Sequence, residues 1–268
     1  MGRVICVCNQ KGGVGKTTTS VNLASCLALS ERRTLLIDLD PQANASSGLG
    51  IRLSQGEPSV YELLISKESH QQIVRRTALE YLDMLPSSQD LTGAEVEFIS
   101  LPSRERMLLT AIESIRYSYD YVFIDCPPSL GFLTLNALVA ADSVLIPIQC
   151  EYYALEGVGS LLQTIRRIRS NFNQSLRIEG FLLTMFDPRN NLSHQVADDV
   201  RKNLRSQVFD TIIPRNVKLS ESPSFGKPVV LYDIASRGAI SYLSLSKEIM
   251  DAEGDGNRQE AYSIGARS

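Results

Sequence analysis

The sequence is poor in the residues that build metal centres and disulfide frameworks. Its two histidines, His70 and His194, sit in polar surroundings with no ligand partner at helical spacing, and both read as surface residues. The five cysteines (Cys6, Cys8, Cys26, Cys126, Cys150) are odd in number, form no CxxC pair and fall mostly inside apolar segments, so they read as buried thiols of a reducing cytoplasm. No stretch approaches the roughly 20 apolar residues of a membrane span. The first strand starts too near the N-terminus to leave room for a secretory signal, so a cytoplasmic protein working without a membrane is expected. Internal repeats and domain linkers are missing too. A strong overall charge is also absent, at −3, which argues mildly against a polyanionic partner. That charge is unevenly spread: Leu161 to Arg237 holds 12 Lys and Arg against 7 Asp and Glu, a local +5.

What is present is enough apolar material, 43% of 268 residues, for one large core. Short β-rich runs alternate with longer helical patterns from end to end, which predicts a single α/β domain, doubly wound, with a mostly parallel sheet and helices on both faces. Strands are expected at Val4–Cys8, Thr34–Asp38, Leu82–Leu85, Tyr121–Asp125, Ser143–Ile148, Ile178–Met185 and Phe209–Ile213. Helices are expected at Thr17–Leu29, Ser103–Tyr117, Gly131–Ala140, Leu155–Asn171, Ser193–Ser206 and Ile240–Ala252. The domain should occupy residues 1–252, followed by a polar, disordered tail over 253–268. Such sheets bind ligands beyond the carboxyl ends of their strands.

The first strand runs into Lys11-Gly12-Gly13-Val14-Gly15-Lys16-Thr17-Thr18, a full match to the phosphate-binding pattern GxxxxGK[ST] in its strand-loop-helix context. Its glycines let the backbone turn tightly and aim N–H groups at phosphate oxygens, the following helix adds its positive end, and Lys16 adds a full charge. Thr17 carries the hydroxyl that such loops use on Mg²⁺.

Carboxylates to serve such a site stand at two strand ends. Asp125 closes the run Tyr121-Val122-Phe123-Ile124, the Walker B pattern for the Mg²⁺ shell. Asp38 and Asp40, two apart, share one side of their strand end and can both point at the phosphate loop, although either could instead cap the following turn.

Lys11, ahead of the glycines, turns the loop into the deviant form KGGxGKT, and the chain thereby resembles the ParA/MinD family of dimerising ATPases. The resemblance to its small chromosomal ParA or Soj type runs through five blocks: NQKGGVGKTTTSVNLA at Asn9–Ala24, DLDPQANASSGLG at Asp38–Gly50, DCPPSLGFLTLNAL at Asp125–Leu138, PIQCEYYALEG at Pro147–Gly157 and IPRNVKLSESPSFGKPVVLYD at Ile213–Asp233. It implies an ATP- and Mg²⁺-dependent, slow hydrolase whose ATP-bound homodimer binds double-stranded DNA without sequence preference. A ParB/Spo0J-type centromere-binding partner would stimulate hydrolysis, and the protein would be associated with the nucleoid. Lys11 would reach the nucleotide of the second subunit, Gly12 would allow the two backbones to pass closely, and Asp40 would place the attacking water, with Asp38 nearer the metal.

The same resemblance sets Met185, Asp187, Pro214, Arg215 and Asn216 beside the adenine. Glu151, Tyr152 and Tyr153 belong to a family block near the nucleotide and dimer surface, where the aromatics could equally be core. Arg189, Lys202, Arg205, Arg215, Lys218, Lys227 and Arg237 are the candidate DNA contacts. The absences sort the relatives: the sequence has no arrangement of cluster cysteines, no terminal tyrosine cluster beyond Tyr262, and an acidic, glycine-containing end at Asp251–Asn257 where a MinD-like chain carries an amphipathic membrane helix. The alternative is a MinD-like or cargo-positioning switch at a membrane or protein scaffold. Starting just before its first strand, the chain is not expected to carry an operator-reading extension.

Overall fold

Strand β1 (Arg3–Val7) turns Val4 and Cys6 into one core and Ile5 and Val7 into a second, the two sides of a sheet buried on both faces. The computed structural model describes residues 2–65, 69–151, 154 and 156–254, so the expected tail lies, from residue 255 on, outside the described residues. The other strands are β2 (Thr34–Asp38), β3 (Arg75–Arg76), β4 (Leu82–Leu85), β5 (Tyr121–Asp125), β6 (Ser143–Gln149) and β7 (Arg177–Thr184). They form one seven-stranded sheet in the order β3-β4-β2-β5-β1-β6-β7, parallel throughout except for the short β3 edge. The expected doubly wound α/β class is what forms.

Sheet register is what builds the site. Val7 pairs with Asp125 and Asp38 also pairs with Asp125, so three strands end in one row, with the phosphate loop leaving from its edge. Residues of the Phe132–Ala140 and Glu156–Asn171 helices fill the core on one face. Residues of the Lys16–Leu29 and Arg237–Gly254 helices fill the core on the other. All five cysteines are buried. Among the described residues no helix is long and apolar enough to cross a membrane.

Two expected elements differ. Phe209–Ile213 is not a regular strand: Phe209 N–H and Ile213 N–H reach the Phe181 and Leu183 carbonyls, but the intervening Asp210 and Thr211 N–H groups turn to the carboxylate of Glu248. Pairing resumes only as an isolated bridge between Phe186 and Pro214, where Phe186 N–H reaches the Ile213 carbonyl and Arg215 N–H the Phe186 carbonyl. The expected Ser103–Tyr117 helix is broken into a 3₁₀ turn Arg104–Arg106, the α-helix Met107–Ile112 and a second 3₁₀ turn Ile115–Ser118. The Asn136 side chain reaches into that break, accepting from Leu108 N–H and donating to the Arg104 carbonyl.

Far along the chain, two glycine backbones touch. Gly50 and Gly226 both have positive φ, and a Cβ on Gly226 would lie 2.7 Å from the Gly50 Cα. The contact joins the segment following Asp40 to the segment that carries Lys218, Lys227 and Arg237.

Candidate active site

The phosphate loop is shaped by local bonds before any ligand matters. Asn9 accepts from Lys11 N–H at 3.1 Å and donates to the Pro147 carbonyl at 2.7 Å, tying the loop entrance to β6. Gly13 and Gly15 take φ of 74° and 87°, the left-handed conformation that glycine adopts without strain, and Gly15 leads into the helix starting at Lys16. Val14 is buried, and its carbonyl accepts from Thr184 Oγ1 at 2.9 Å, so the end of β7 clamps the loop from behind. Lys16 is buried at 6% exposure, with its Nζ 3.1 Å from the Lys11 carbonyl oxygen across the loop mouth. Burial lowers its ammonium pKa while the charge of Asp125 opposes that shift, an arrangement that gains from an anion.

Around the loop the structure gathers most of the expected residues. A cavity of about 340 Å³ is lined by Gly12, Gly13, Gly15, Lys16, Thr17, Thr18 and Asp40, together with Asn44 and Pro128. A second of about 620 Å³ is lined by Met185, Pro214, Arg215 and Asn216 and floored by Leu219 and Tyr242. Gly15, Thr18 and Met185 line both, so the two form one trough with a polar end and a more apolar end. Asp187 lines neither; its carboxylate accepts from Arg189 Nε and Nη2 at 3.0 and 2.9 Å, which keeps its pKa down at about 2. Thr184 was not singled out from the sequence, whereas Asn44 and Pro128 fall inside two of the quoted blocks with no role assigned to either. Tyr152 and Tyr153 lie outside the described residues.

The carboxylates divide by environment. Asp125 is wholly buried and accepts from Thr17 Oγ1 at 2.8 Å and Ser20 Oγ at 2.7 Å. Burial, aided by the charge of Asp38, pushes it up to about 7. Asp38 is also wholly buried, accepts from Ser46 N–H, Ser46 Oγ and Asp40 N–H, and is pushed up to about 6, again mainly by burial. Through Ser46 it is tied to the first turn of the short Asn44–Gly48 helix, whose N-cap residue is Ala43. Asp40 lines the cavity; its Oδ1 accepts from Gln42 N–H, and among the described residues no hydrogen bond engages Oδ2. Thr17 Oγ1 and the Asp125 carboxylate are hard oxygen donors beside the loop; among the described residues no three carboxylates cluster closely enough to hold a metal ion by themselves, so a divalent cation here would draw the rest of its shell from phosphate and water.

Lys11 points away from its own loop: its Nζ is 3.1 Å from Glu151 Oε2. The basic candidates are not all brought together. Lys202 lies on the Asn191–Leu204 helix, and Arg205 begins the turn at its end; that helix packs through Val196 and Val200 on one core. Lys218, Lys227 and Arg237 ride on segments that pack through Leu219, Val229 and Ala239 on the other. Gly238 sits on the Leu219 side chain, which packs the start of the Arg237–Gly254 helix against the segment that carries Lys218. Lys218 is paired with Glu221 at 3.1 Å, and Arg189 with Asp187 at 2.9 Å.

Comparison with known proteins agrees with this geometry. A family model described as an AAA domain matches residues 2–178. The chain is 56% identical over 250 residues to the chromosome partitioning protein ParA of Myxococcus xanthus, covering 93% of this chain and 88% of that protein. It is 55% identical over 249 residues to the sporulation initiation inhibitor protein Soj of Bacillus subtilis, covering 93% and 98%. Among solved structures, cobyrinic acid a,c-diamide synthase from Mycobacterium smegmatis with bound ADP and magnesium superposes with a TM-score of 0.83 at 36% identity, over 96% of this chain and 97% of that one. The cell division ATPase MinD of Pyrococcus furiosus gives 0.78 at 25% identity, over 94% and 99%.

Proposed function

The chain belongs to the ParA/Soj family of chromosome-partitioning ATPases, and from that premise we propose that it is a nucleotide-timed DNA-segregation switch. ATP with Mg²⁺ binds, two subunits close over their nucleotides, and the dimer holds DNA of any sequence. A ParB/Spo0J-type partner then stimulates hydrolysis, and monomers leave the DNA. The observation that carries the reading is the two-ended trough, in which Lys16 and the glycine backbone line the polar end and Asp40 stands at its wall.

Each residue has a physical task. The loop N–H groups and Lys16 Nζ hold the phosphates, and the Met185, Pro214, Arg215 and Asn216 end receives the base. Thr17 and Asp125, with Asp38 and Asp40 behind them, are the oxygen donors that would hold Mg²⁺. Bound there, the ion would neutralise phosphate charge and align the phosphates for in-line attack. Asp40 offers its unengaged Oδ2 to a water, fixing the direction of approach. Phosphoryl transfer depends on positioning and positive charge, so one subunit alone hydrolyses slowly, and Lys11 from the second subunit completes the cradle.

Sedimentation with plasmid DNA or with liposomes, each with and without ATP, tests the whole reading. The protein is expected to pellet with DNA only when ATP is present and to leave liposomes in the supernatant. Pelleting with liposomes, or DNA binding indifferent to nucleotide, would overturn it.

A further inference from the structure

Outside the nucleotide trough, the described residues form a second groove of about 490 Å³ between the Phe132–Ala140 helix, the Glu156–Asn171 helix and the segment before Arg104. Leu130, Leu135, Leu138 and Ile168 make its apolar floor, and Arg104 and Arg167 are the charged side chains at its wall. Arg104 donates to the Ile99 carbonyl at 3.2 Å, and among the described residues neither arginine is in an ion pair. Leaving two guanidinium groups uncompensated beside an apolar floor selects for a ligand with both aliphatic surface and carboxylates.

The apolar surface does not stop at the groove. Ile99, on its lip, is 65% exposed, and its neighbours Val96 and Leu101 are 77% and 42% exposed. A small amphiphile would fill the groove and leave this lip in water, whereas a polypeptide covers both. We propose that this groove docks an amphipathic, acidic segment of a partner protein, its aliphatic side chains on the leucine floor and its carboxylates on Arg104 and Arg167.

The docked segment would press on the loop that follows Asp125. Leu130 lies two residues beyond Pro128, which lines the phosphate cavity and stands 3.8 Å from where a Cβ on Gly12 would be. Docking therefore alters ATP turnover, a consequence that rests on the ATPase reading, whereas docking itself does not.

The test selects 12-residue peptides from a random displayed library on the intact chain without nucleotide, then measures the synthetic winners by fluorescence anisotropy. Enriched peptides are expected to combine aliphatic residues with Asp or Glu. Arg167→Glu, at an exposed position, should weaken them about fivefold or more, and Ile99→Asp should do the same through the lip. Exchanging the peptide's acids for lysine should restore binding to Arg167→Glu. No enrichment, neutral or basic winners, or affinity indifferent to both variants would overturn the proposal, as would dodecanoate binding in the groove with no peptide selected. Saturating peptide should change the ATP turnover of the wild type and leave that of Arg167→Glu unaltered. An unchanged wild-type rate would remove the coupling to hydrolysis, while anisotropy alone decides docking.

Discussion

Lys11 Nζ and Glu151 Oε2 are 3.1 Å apart within one chain, while the Lys11 carbonyl accepts from Lys16 across the loop. The two lysines therefore face different tasks: Lys16 is turned into its own cavity, and Lys11 is held outside it. For Lys11 to serve a second subunit, this exposed ion pair has to open.

Lys16→Ala should abolish ATP binding, whereas Lys11→Ala should keep it and lose dimerisation and turnover. An exposed pair contributes about 0.2–1 kcal/mol, so Glu151→Gln, freeing both copies, should favour the ATP-bound dimer by at most about 2 kcal/mol. Fluorescent-nucleotide titration and analytical ultracentrifugation read the two effects. Equal loss of ATP affinity in both lysine variants would remove the separate role of Lys11.

Asp40→Ala should bind ATP and Mg²⁺ but hydrolyse roughly a hundredfold more slowly or worse, because the water loses its orienting carboxylate while the phosphate contacts stay. A persistent dimer should accumulate in size-exclusion chromatography with ATP. Wild-type turnover in this variant would sink the assignment.

Gly12→Val should fold and bind ATP yet stay monomeric. Within one chain a Cβ at this position meets only the Pro128 Cβ, at the ordinary contact distance of 3.8 Å, so Gly12→Ala is tolerated there and serves as the control for the bulkier valine. ATP-dependent dimers of the valine variant in sedimentation velocity would move the interface elsewhere.

For DNA, the local ion pairs rank the basic residues. Lys227→Ala and Arg237→Ala should lower the slope of log K against log salt by about 0.9 for each DNA phosphate left without its cation. Arg189→Ala and Lys218→Ala should matter less, since Asp187 and Glu221 already compensate them. Filter binding across a salt series with ATP decides, and an unchanged slope in the Lys227→Ala, Arg237→Ala double variant would dismiss this patch.

Proton linkage supplies a prediction that needs no nucleotide. Asp38 and Asp125 are raised in the fold to about 6 and about 7 by burial, so the folded protein holds these protons more tightly than the unfolded chain does. Stability should accordingly fall as pH rises from the ordinary carboxylate range through these values, each tenfold change in proton affinity being worth about 1.4 kcal/mol. Asp125→Asn removes one of the penalised charges. It should melt higher than the wild type at pH 8, with the advantage fading towards pH 4, in thermal denaturation free of Mg²⁺ and nucleotide. A variant that is no more stable at pH 8 would contradict this electrostatic cost.

How much of this was legible depends on how local the cause is. β1, β2 and β5 showed in the sequence because a short continuous apolar run needs no distant partner to be read as a strand buried on both faces, and the phosphate loop showed because its glycines and lysines are contiguous. Thr184 reaches the trough only through the sheet, so no short pattern marks it, and Asn44 stands inside a quoted block but meets the cavity only through the Asn44–Gly48 helix. Phe209–Ile213 has strand-forming residues, but a carboxylate 38 positions away from Asp210 takes its backbone donors. The pairing of Asp187 with Arg189 is local, two residues apart, yet no pattern in the sequence announces it.

The contact between Gly50 and Gly226 has a mechanical consequence. With backbone resting on backbone and no side chain between to change rotamer, the joint has no soft layer to take up a displacement. A displacement of the Gly50 backbone therefore meets the Gly226 backbone directly. At that point the segment after β2 and the segment between Leu219 and Val229 share one rigid joint.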